Sequence, residues 1–162
     1  MPITPLHIGI PGIISYLWPK RVDIFSVIIG CIIIDLDFLL FLLIETHVHG
    51  YFHTFVGATL TSIVLIIIIH SFQKPILKIK KWFKWESQST FKSITYGALI
   101  GTYSHVIIDS FIYEDMNIYY PMYEGFIFLQ HSDLMFILIY FITAFTTALF
   151  LTLYIFRYIS TR

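Results

Sequence analysis

The sequence predicts an all-α, polytopic membrane protein with four transmembrane helices and an N-terminal re-entrant or half-spanning helix. Hydrophobic residues make up 57% of the 162 residues and charged residues only 12%, whereas about a quarter of residues are charged in soluble domains. The mean hydropathy is +0.81. Four apolar runs approach the roughly 20 residues that a helix needs to cross a bilayer. The length predicts one membrane-embedded domain, residues 1–162.

A short helix is expected over residues 1–19. Thr4 is the expected N-cap, Pro5 takes the first helical position, and Pro11 predicts a kink. The helix ends before Pro19, because the residue that precedes a proline resists helical backbone. About a dozen residues at 1.5 Å each extend roughly 20 Å, which is less than the ~30 Å hydrocarbon core. This segment is therefore interpreted as half-spanning or re-entrant.

The four predicted spans are residues 22–44, 55–72, 91–113 and 133–156. All ten Lys and Arg residues lie at 20–21, 74–92 and 157–162, so with four spans they fall on one side of the membrane. The positive-inside rule places that side in the cytoplasm and predicts a multi-pass protein of the cell membrane. The basic stretch is interpreted as an interfacial anchor, with binding of anionic lipid head groups as the alternative.

His105 and Asp109 are the most informative polar pair within the apolar spans. They are four residues apart, so their side chains lie one above the other on the same face of a helix. Ionisable groups are costly inside a membrane helix and usually face an interior site. Two ligands at this spacing can hold one metal ion. The alternative is a His–Asp hydrogen bond that ties two helices together.

Further His and Asp residues are expected at the same depth, towards the extracytoplasmic side. Asp35 lies about fourteen residues into the first span, roughly 20 Å from its cytoplasmic end. Asp37 points about 200° away from it, so both serve one site only if the helix bends or if they bind different ions. The predicted metal ligands are His7, Asp35, Asp37, His49, His53, His105 and Asp109. His131 and Asp133 lie at the outer entrance to the last span, and Asp37 or Asp133 is the expected general base.

Imidazole and carboxylate groups are the ligands expected for zinc, manganese or iron, and a divalent cation keeps a buried carboxylate ionised. The sequence has no His-Glu-x-x-His motif of a metalloprotease. Ser104 and His105 are adjacent on one helix and cannot form a Ser–His dyad with each other. The outer side has no Lys or Arg, so metal ions would have to neutralise any bound phosphate.

Four motifs resemble those of the YdjM-like family of predicted inner-membrane, metal-dependent hydrolases. They are Thr4-Pro5-Leu6-His7 with Gly9, Ile34-Asp35-Leu36-Asp37, His49-Gly50-Tyr51-Phe52-His53-Thr54, and Ser104-His105-Val106-Ile107-Ile108-Asp109-Ser110 followed by Pro121. The family is similar to the superfamily of zinc-dependent phospholipase C and single-strand nuclease, whose sites hold several zinc ions on His and Asp. The resemblance implies a phosphoester substrate and zinc as the metal, with manganese as the alternative.

The primary hypothesis is a membrane-embedded hydrolase that attacks a phosphoester of a lipid or lipid-linked substrate with a metal-bound hydroxide. A divalent-metal transporter or sensor is one alternative, and it requires polar residues in the cytoplasmic halves of the spans. A structural membrane protein, held by hydrogen bonds between helices, is the other. Membrane lipids are the expected partners and nucleic acid is not expected. The sequence makes no prediction of the oligomeric state.

Overall fold

The computed structural model describes residues 4–37, 50–85, 89–113, 116–122 and 132–160. These ranges contain helices, turns and connecting segments but no strand, which confirms the all-α class. Two 3-10 helices, Thr4–Ile8 and Tyr51–His53, precede the first and third α-helices. The α-helices are α1 (Gly9–Leu17), α2 (Ile24–Ile33), α3 (Phe55–Ser71), α4 (Gln73–Trp82), α5 (Phe91–Ser110) and α6 (Asp133–Ser160). The predicted ligand His49 and the residue His131 lie outside the described residues.

Helix α5 is the centre of the fold, since α2 and α3 both pack against it. The crossing of α2 and α5 is close because glycines face each other there. A Cβ atom on Gly101 would lie 2.5 Å from the carbonyl oxygen of Val27 and 3.1 Å from the Cα atom of Gly30. Only glycine admits this approach. An apolar cluster fills the same region towards the N-terminal end of α5, with buried Leu65, Ile66, Ile69, Ile76, Ile94 and Ala98.

The predicted N-terminal helix is divided into two parts. The chain forms a 3-10 helix over Thr4–Ile8 and then continues as α1. Pro11 lies in the first turn of α1, where a backbone N–H has no partner within the helix, so the proline costs no hydrogen bond. The irregularity that Pro11 predicts corresponds to the change from a 3-10 helix to an α-helix between Ile8 and Gly9. Helix α1 ends at Leu17 with Trp18 as its C-cap, as the following Pro19 predicts.

The N-terminal segment is held against α6. A Cβ atom on Gly9 would lie 2.4 Å from the backbone nitrogen of Thr147, so this pair of helices also needs a glycine at its contact. The hydroxyl of Thr147 donates a 2.9 Å hydrogen bond to the carbonyl oxygen of Leu6. These contacts fix the position of His7, which follows Leu6 and is 2% exposed.

The expectation of four membrane-spanning helices is not met by the lengths and hydropathies of the described helices. Only α6 is long and apolar enough to cross a membrane by itself, and α3 and α4 pass the same test as a pair that is bent by 85°. The described apolar helix at the first predicted span ends at Ile33. Helix α5 has 20 residues, but His, Asp, Ser, Thr and Gly residues lower its hydropathy. Residues 38–44 of the first predicted span lie outside the described part.

The basic stretch, residues 74–92, contains a buried lysine in addition to its surface lysines. Lys80 of α4 is 2% exposed, and its ammonium group contacts the Asp23 carboxylate and donates a 2.8 Å hydrogen bond to the Ser89 hydroxyl. Asp23 is also the N-cap of α2 and accepts hydrogen bonds from the backbone nitrogen and hydroxyl of Ser26 at 2.9 and 3.0 Å. A buried ion pair therefore joins α4 to the start of α2.

Candidate metal centre

Helix α5 presents His105 and Asp109 from one face, as their four-residue spacing predicts. The Nε2 atom of His105 lies 3.2 Å from the Oδ2 atom of Asp109. His105 is fully buried and Asp109 is 2% exposed. Both lie near the C-terminal end of α5, about 20 Å along the helix axis from Lys92. The pair is thus at the opposite end of the bundle from the Lys92 side chain.

His53 comes from the 3-10 turn that leads into α3, and local sequence determines the shape of this turn. The Thr54 hydroxyl accepts a 2.8 Å hydrogen bond from the backbone nitrogen of Gly57 and donates one of 2.8 Å to the carbonyl oxygen of Tyr51. A Cβ atom on Gly57 would lie 1.8 Å from that same oxygen, so this position requires glycine. The turn holds His53 at the N-terminus of α3, whose dipole favours nearby carboxylates.

Asp37 orients His53. Its Oδ2 atom accepts hydrogen bonds from the backbone nitrogens of Phe52 and His53, at 2.9 and 3.2 Å, and lies 2.9 Å from Nδ1 of His53. An ionised carboxylate only accepts hydrogen bonds, so Nδ1 of His53 is the donor in this contact, and Nε2 is the ring nitrogen that faces Asp35 and Asp109. Metal-binding histidines commonly have this arrangement, in which a carboxylate accepts a hydrogen bond from the ring nitrogen that does not bind the metal. Asp37 is not one of the residues in the converging group, and its predicted role as a ligand stays a prediction, while its observed contacts are with Phe52 and His53.

Asp35 and Asp37 reach the same centre because α2 ends just before them. The backbone nitrogen of Asp35 donates to the carbonyl oxygen of Ile32 at 3.2 Å, and that of Asp37 to Ile34 at 3.4 Å, as in a tightened turn. Ile34 stands where the resembled family has proline, and the helix nevertheless stops at Ile33. On a regular helix Asp35 and Asp37 would point about 200° apart. This turn bends the chain, so that both side chains can reach the same centre.

Four side chains converge on one point: Asp35, His53, His105 and Asp109 each offer one ligand atom, and these atoms all lie within 4.8 Å of one another. The Oδ1 atom of Asp35 is 3.3 Å from Nε2 of His105 and 3.8 Å from Nε2 of His53. The Oδ2 atom of Asp109 is 3.6 Å from Nε2 of His53. The Asp35 side chain is 22% exposed and the other three are buried, so the group opens on the Asp35 side.

His7 adds a third imidazole next to this group. Its Nε2 atom lies 2.8 Å from Oδ1 of Asp109, and its ring stacks on that of His105 with centroids 4.4 Å apart. The two atoms of the His7–Asp109 contact are close but are not aligned for a hydrogen bond. His7 therefore contacts the carboxylate oxygen of Asp109 that faces away from His53 and His105.

The buried polar atoms fit a bound cation. Both ring nitrogens of His105 and Oδ1 of Asp109 are buried and lack a hydrogen-bond partner within the described part of the chain. Buried polar atoms of this kind are costly unless something satisfies them. A divalent cation at the centre would accept the lone pairs of the two Nε2 atoms and offset the charges of two carboxylates. The structure thus contains a buried group that could hold a metal ion.

Tyr113 follows the last turn of α5, close to the group. The backbone nitrogen of Tyr113 donates a 2.9 Å hydrogen bond to the carbonyl oxygen of Asp109. Among the other predicted residues, Asp133 is exposed at the N-terminus of α6 and is not a member of the group. Its role as general base stays a prediction. His70 is exposed and hydrogen-bonds Gln73 at 2.8 Å, far along α3 from His53.

Sequence reasoning missed the role of Asp37 and the Lys80–Asp23 pair. Asp23 does carry a recognisable signal, because an aspartate directly before an apolar helical run is a favoured N-cap. No comparable signal identifies its lysine partner, which lies 57 residues away in sequence. Asp37 could be assigned only after its contacts with His53 were seen.

Asp37→Asn is expected to weaken metal binding by about 10- to 100-fold while the helical fold is retained. The amide oxygen still accepts hydrogen bonds from the backbone, but a neutral group holds the His53 ring less firmly than a carboxylate does. Chelator competition on the purified protein measures the change in affinity. A loss as large as that caused by removing His105 would instead identify Asp37 as a direct ligand.

Comparisons with known proteins give one family-level result. The family model described as "Domain of unknown function (DUF4184)" matches residues 1–162. No curated protein and no solved structure matches the chain.

Proposed function

The chain belongs to the DUF4184 family, and we propose that it is a membrane-embedded, metal-dependent hydrolase of a phosphoester. The substrate is a lipid or a lipid-linked compound, and the reaction takes place on the extracytoplasmic side. The observation that carries this proposal is the buried group of Asp35, His53, His105 and Asp109. The motif resemblance to the YdjM-like hydrolases favours a phosphoester as the substrate.

The geometry of the group supports zinc, with manganese as the alternative. Zinc bonds of about 2.0–2.1 Å in a tetrahedron imply about 3.3 Å between ligand atoms. The four His–Asp separations in the group are 3.2, 3.3, 3.6 and 3.8 Å. A bound divalent cation supplies Lewis acidity and activates water near neutral pH. Asp35, His53, His105 and Asp109 would hold it, and three of these four side chains are buried.

Substrate access is expected past Asp35, the only partly exposed member of the group. The chain has no Lys or Arg between residues 22 and 73 or between 93 and 156, so a phosphate at this end of the bundle has no basic side chain from those segments to clamp it. Charge neutralisation must come from the cation. This favours a reaction in which the phosphate binds directly to the metal ion.

The surface of α6 supports a membrane location. Its outward residues are large and apolar, for example Leu134, Phe141 and Phe156 with exposed fractions of 67, 68 and 71%. Its buried residues are Thr143, Thr147 and Phe150, so two of the three are polar. A helix with polar groups inside and apolar groups outside matches a lipid environment and not water. Helix α3 also exposes apolar residues, namely Leu60, Ile63, Val64, Ile67 and Ile68, while its buried residues include polar Thr61 and Ser62 as well as apolar Leu65, Ile66 and Ile69. We therefore propose a multi-pass arrangement with the basic end in the cytoplasm.

The transporter alternative receives no support from the interior. A transported cation needs polar groups along an exit route towards the basic end. Next to the metal centre lies the buried pair of Ser62 and Thr102 hydroxyls, 2.7 Å apart. Closer to Lys80 the space is occupied by the apolar cluster that includes Leu65, Ile69, Ile94 and Ala98, which are at most 2% exposed. This packing favours a site that opens on one side only.

The direct test is to purify the full chain in detergent and to measure phosphate or phosphorylated head-group release from phospholipids. We expect release in the presence of zinc or manganese, its loss with a chelator, and at least a 100-fold lower rate for Asp35→Asn. His70→Ala is the matched control and should keep the wild-type rate. If the protein binds about one metal ion per chain but releases nothing from any phospholipid, the hydrolase assignment is wrong and the metal site stands.

A further inference from the structure

A cavity of about 570 Å³ lies beside the N-terminal half of α5, at the opposite end of this helix from the metal centre. The end of α1, the connection between α1 and α2, and the first turns of α5 form its walls. All of its charged lining residues are basic, namely Lys20, Arg21 and Lys92. The metal centre uses none of these side chains.

The electrostatics of the cavity favour an anion. Three cationic side chains surround one space, and the lining residues in the described part of the chain include no carboxylate. The nearest acid in sequence is Asp23, which is 1% exposed and already contacts Lys80 and Ser26. Asp23 is not among the residues that line the cavity. The N-terminus of α5, with Thr90 as its N-cap, adds the positive end of a helix dipole at the same place.

The remaining lining residues make the cavity amphipathic. Ile14, Val22 and Ile100 form an apolar wall, and Ile100 lies about 12 Å along α5 from Lys92. Two further lining residues, Trp18 and Tyr96, are 51 and 54% exposed. Aromatic residues of this kind are typical of the membrane–water interface. The cavity thus combines a cationic group, an interfacial aromatic pair and an apolar wall. A phospholipid presents matching groups in the same order, from its phosphate to its acyl chains.

We propose that this cavity binds one anionic phospholipid from the leaflet at the basic end of the bundle. The lipid phosphate lies among Lys20, Arg21 and Lys92, and an acyl chain lies along Ile14 and Ile100. A free phosphate ion would use the three cations but would leave the apolar wall without a partner. The inference rests on the membrane location in the proposed function but not on hydrolysis, because the metal centre is at the other end of α5.

The test compares lipid binding by native mass spectrometry and by thermal shift in detergent. Phosphatidylglycerol should bind at least about ten times more tightly than phosphatidylcholine, because each basic residue near a lipid phosphate contributes to binding. The triple variant Lys20→Gln/Arg21→Gln/Lys92→Gln should bind phosphatidylglycerol about 100-fold more weakly than the wild type does. The matched control is Lys74→Gln/Lys78→Gln/Lys81→Gln, which removes three exposed charges of α4 outside the cavity and should keep wild-type affinity.

Three results would overturn the inference: equal binding of the two lipids, equal losses in the two triple variants, or a thermal shift of the same size with inorganic phosphate alone. The last result would identify a soluble anion as the ligand. Metal content and hydrolysis are measured on the same samples. A negative hydrolysis assay with intact phosphatidylglycerol binding contradicts the proposed function and leaves the lipid site in place.

Discussion

His105→Ala is expected to reduce bound metal from about one ion per chain to below about one tenth after dialysis. The Nε2 atom of His105 lies 3.3 Å from the Asp35 carboxylate and 3.2 Å from that of Asp109, so its ring is placed between both acidic ligands. Its removal takes away one ligand and leaves two carboxylates close together in a buried site. Elemental analysis of the purified protein measures the result.

His70→Ala is the matched control, because His70 is exposed at the other end of α3. His105→Gln gives a second test, since it keeps more of the side-chain volume and distinguishes the loss of a ligand from the loss of packing. Both variants at position 105 should lose metal, and His70→Ala should not. Full metal content in both His105 variants would contradict the metal site and favour the alternative in which these groups only join helices.

Lys80→Met is expected to lower the free energy of unfolding by about 3–5 kcal/mol. The substitution removes the ammonium group that contacts the Asp23 carboxylate, and Asp23 is 1% exposed. A buried carboxylate without its cation is costly, and the Ser89 hydroxyl also loses its 2.8 Å hydrogen bond. Denaturant titration in detergent, followed by circular dichroism, measures the change.

Two further variants separate the buried pair from a general effect of charge. Lys78→Met on the same helix removes an exposed lysine and should change stability by less than about 0.5 kcal/mol. The double variant Asp23→Asn/Lys80→Met removes both charges and keeps an N-cap residue for α2, so it should recover most of the loss. If Lys80→Met is no more damaging than Lys78→Met, the buried ion pair does not stabilise the fold.

The positions of most helices could be predicted from local sequence. The predicted second span, residues 55–72, corresponds to α3 at Phe55–Ser71, and the last begins at Asp133 as predicted. Pro19 ends the first helix in the structure as it does in the prediction. These features depend on apolar runs, caps and prolines, and such signals act within a few residues. Among the described helices, fewer are long and apolar enough to cross a membrane than the four predicted, because an apolar run does not by itself determine where a helix ends.

The sequence by itself determined the all-α class and the His105–Asp109 pair, since helical spacing places residues i and i+4 on one face. The sequence also predicted Asp35 and His53 as ligands beside this pair, and the tertiary structure brings their ligand atoms within 4.8 Å of it. Only the tertiary structure decided that Asp37 lies against Nδ1 of His53. It also decided that Lys80 is buried against Asp23 while Lys20, Arg21 and Lys92 line a common cavity. Those relations connect residues that are distant in sequence. They depend on how the helices cross, and close contacts at glycines such as Gly101 set that crossing.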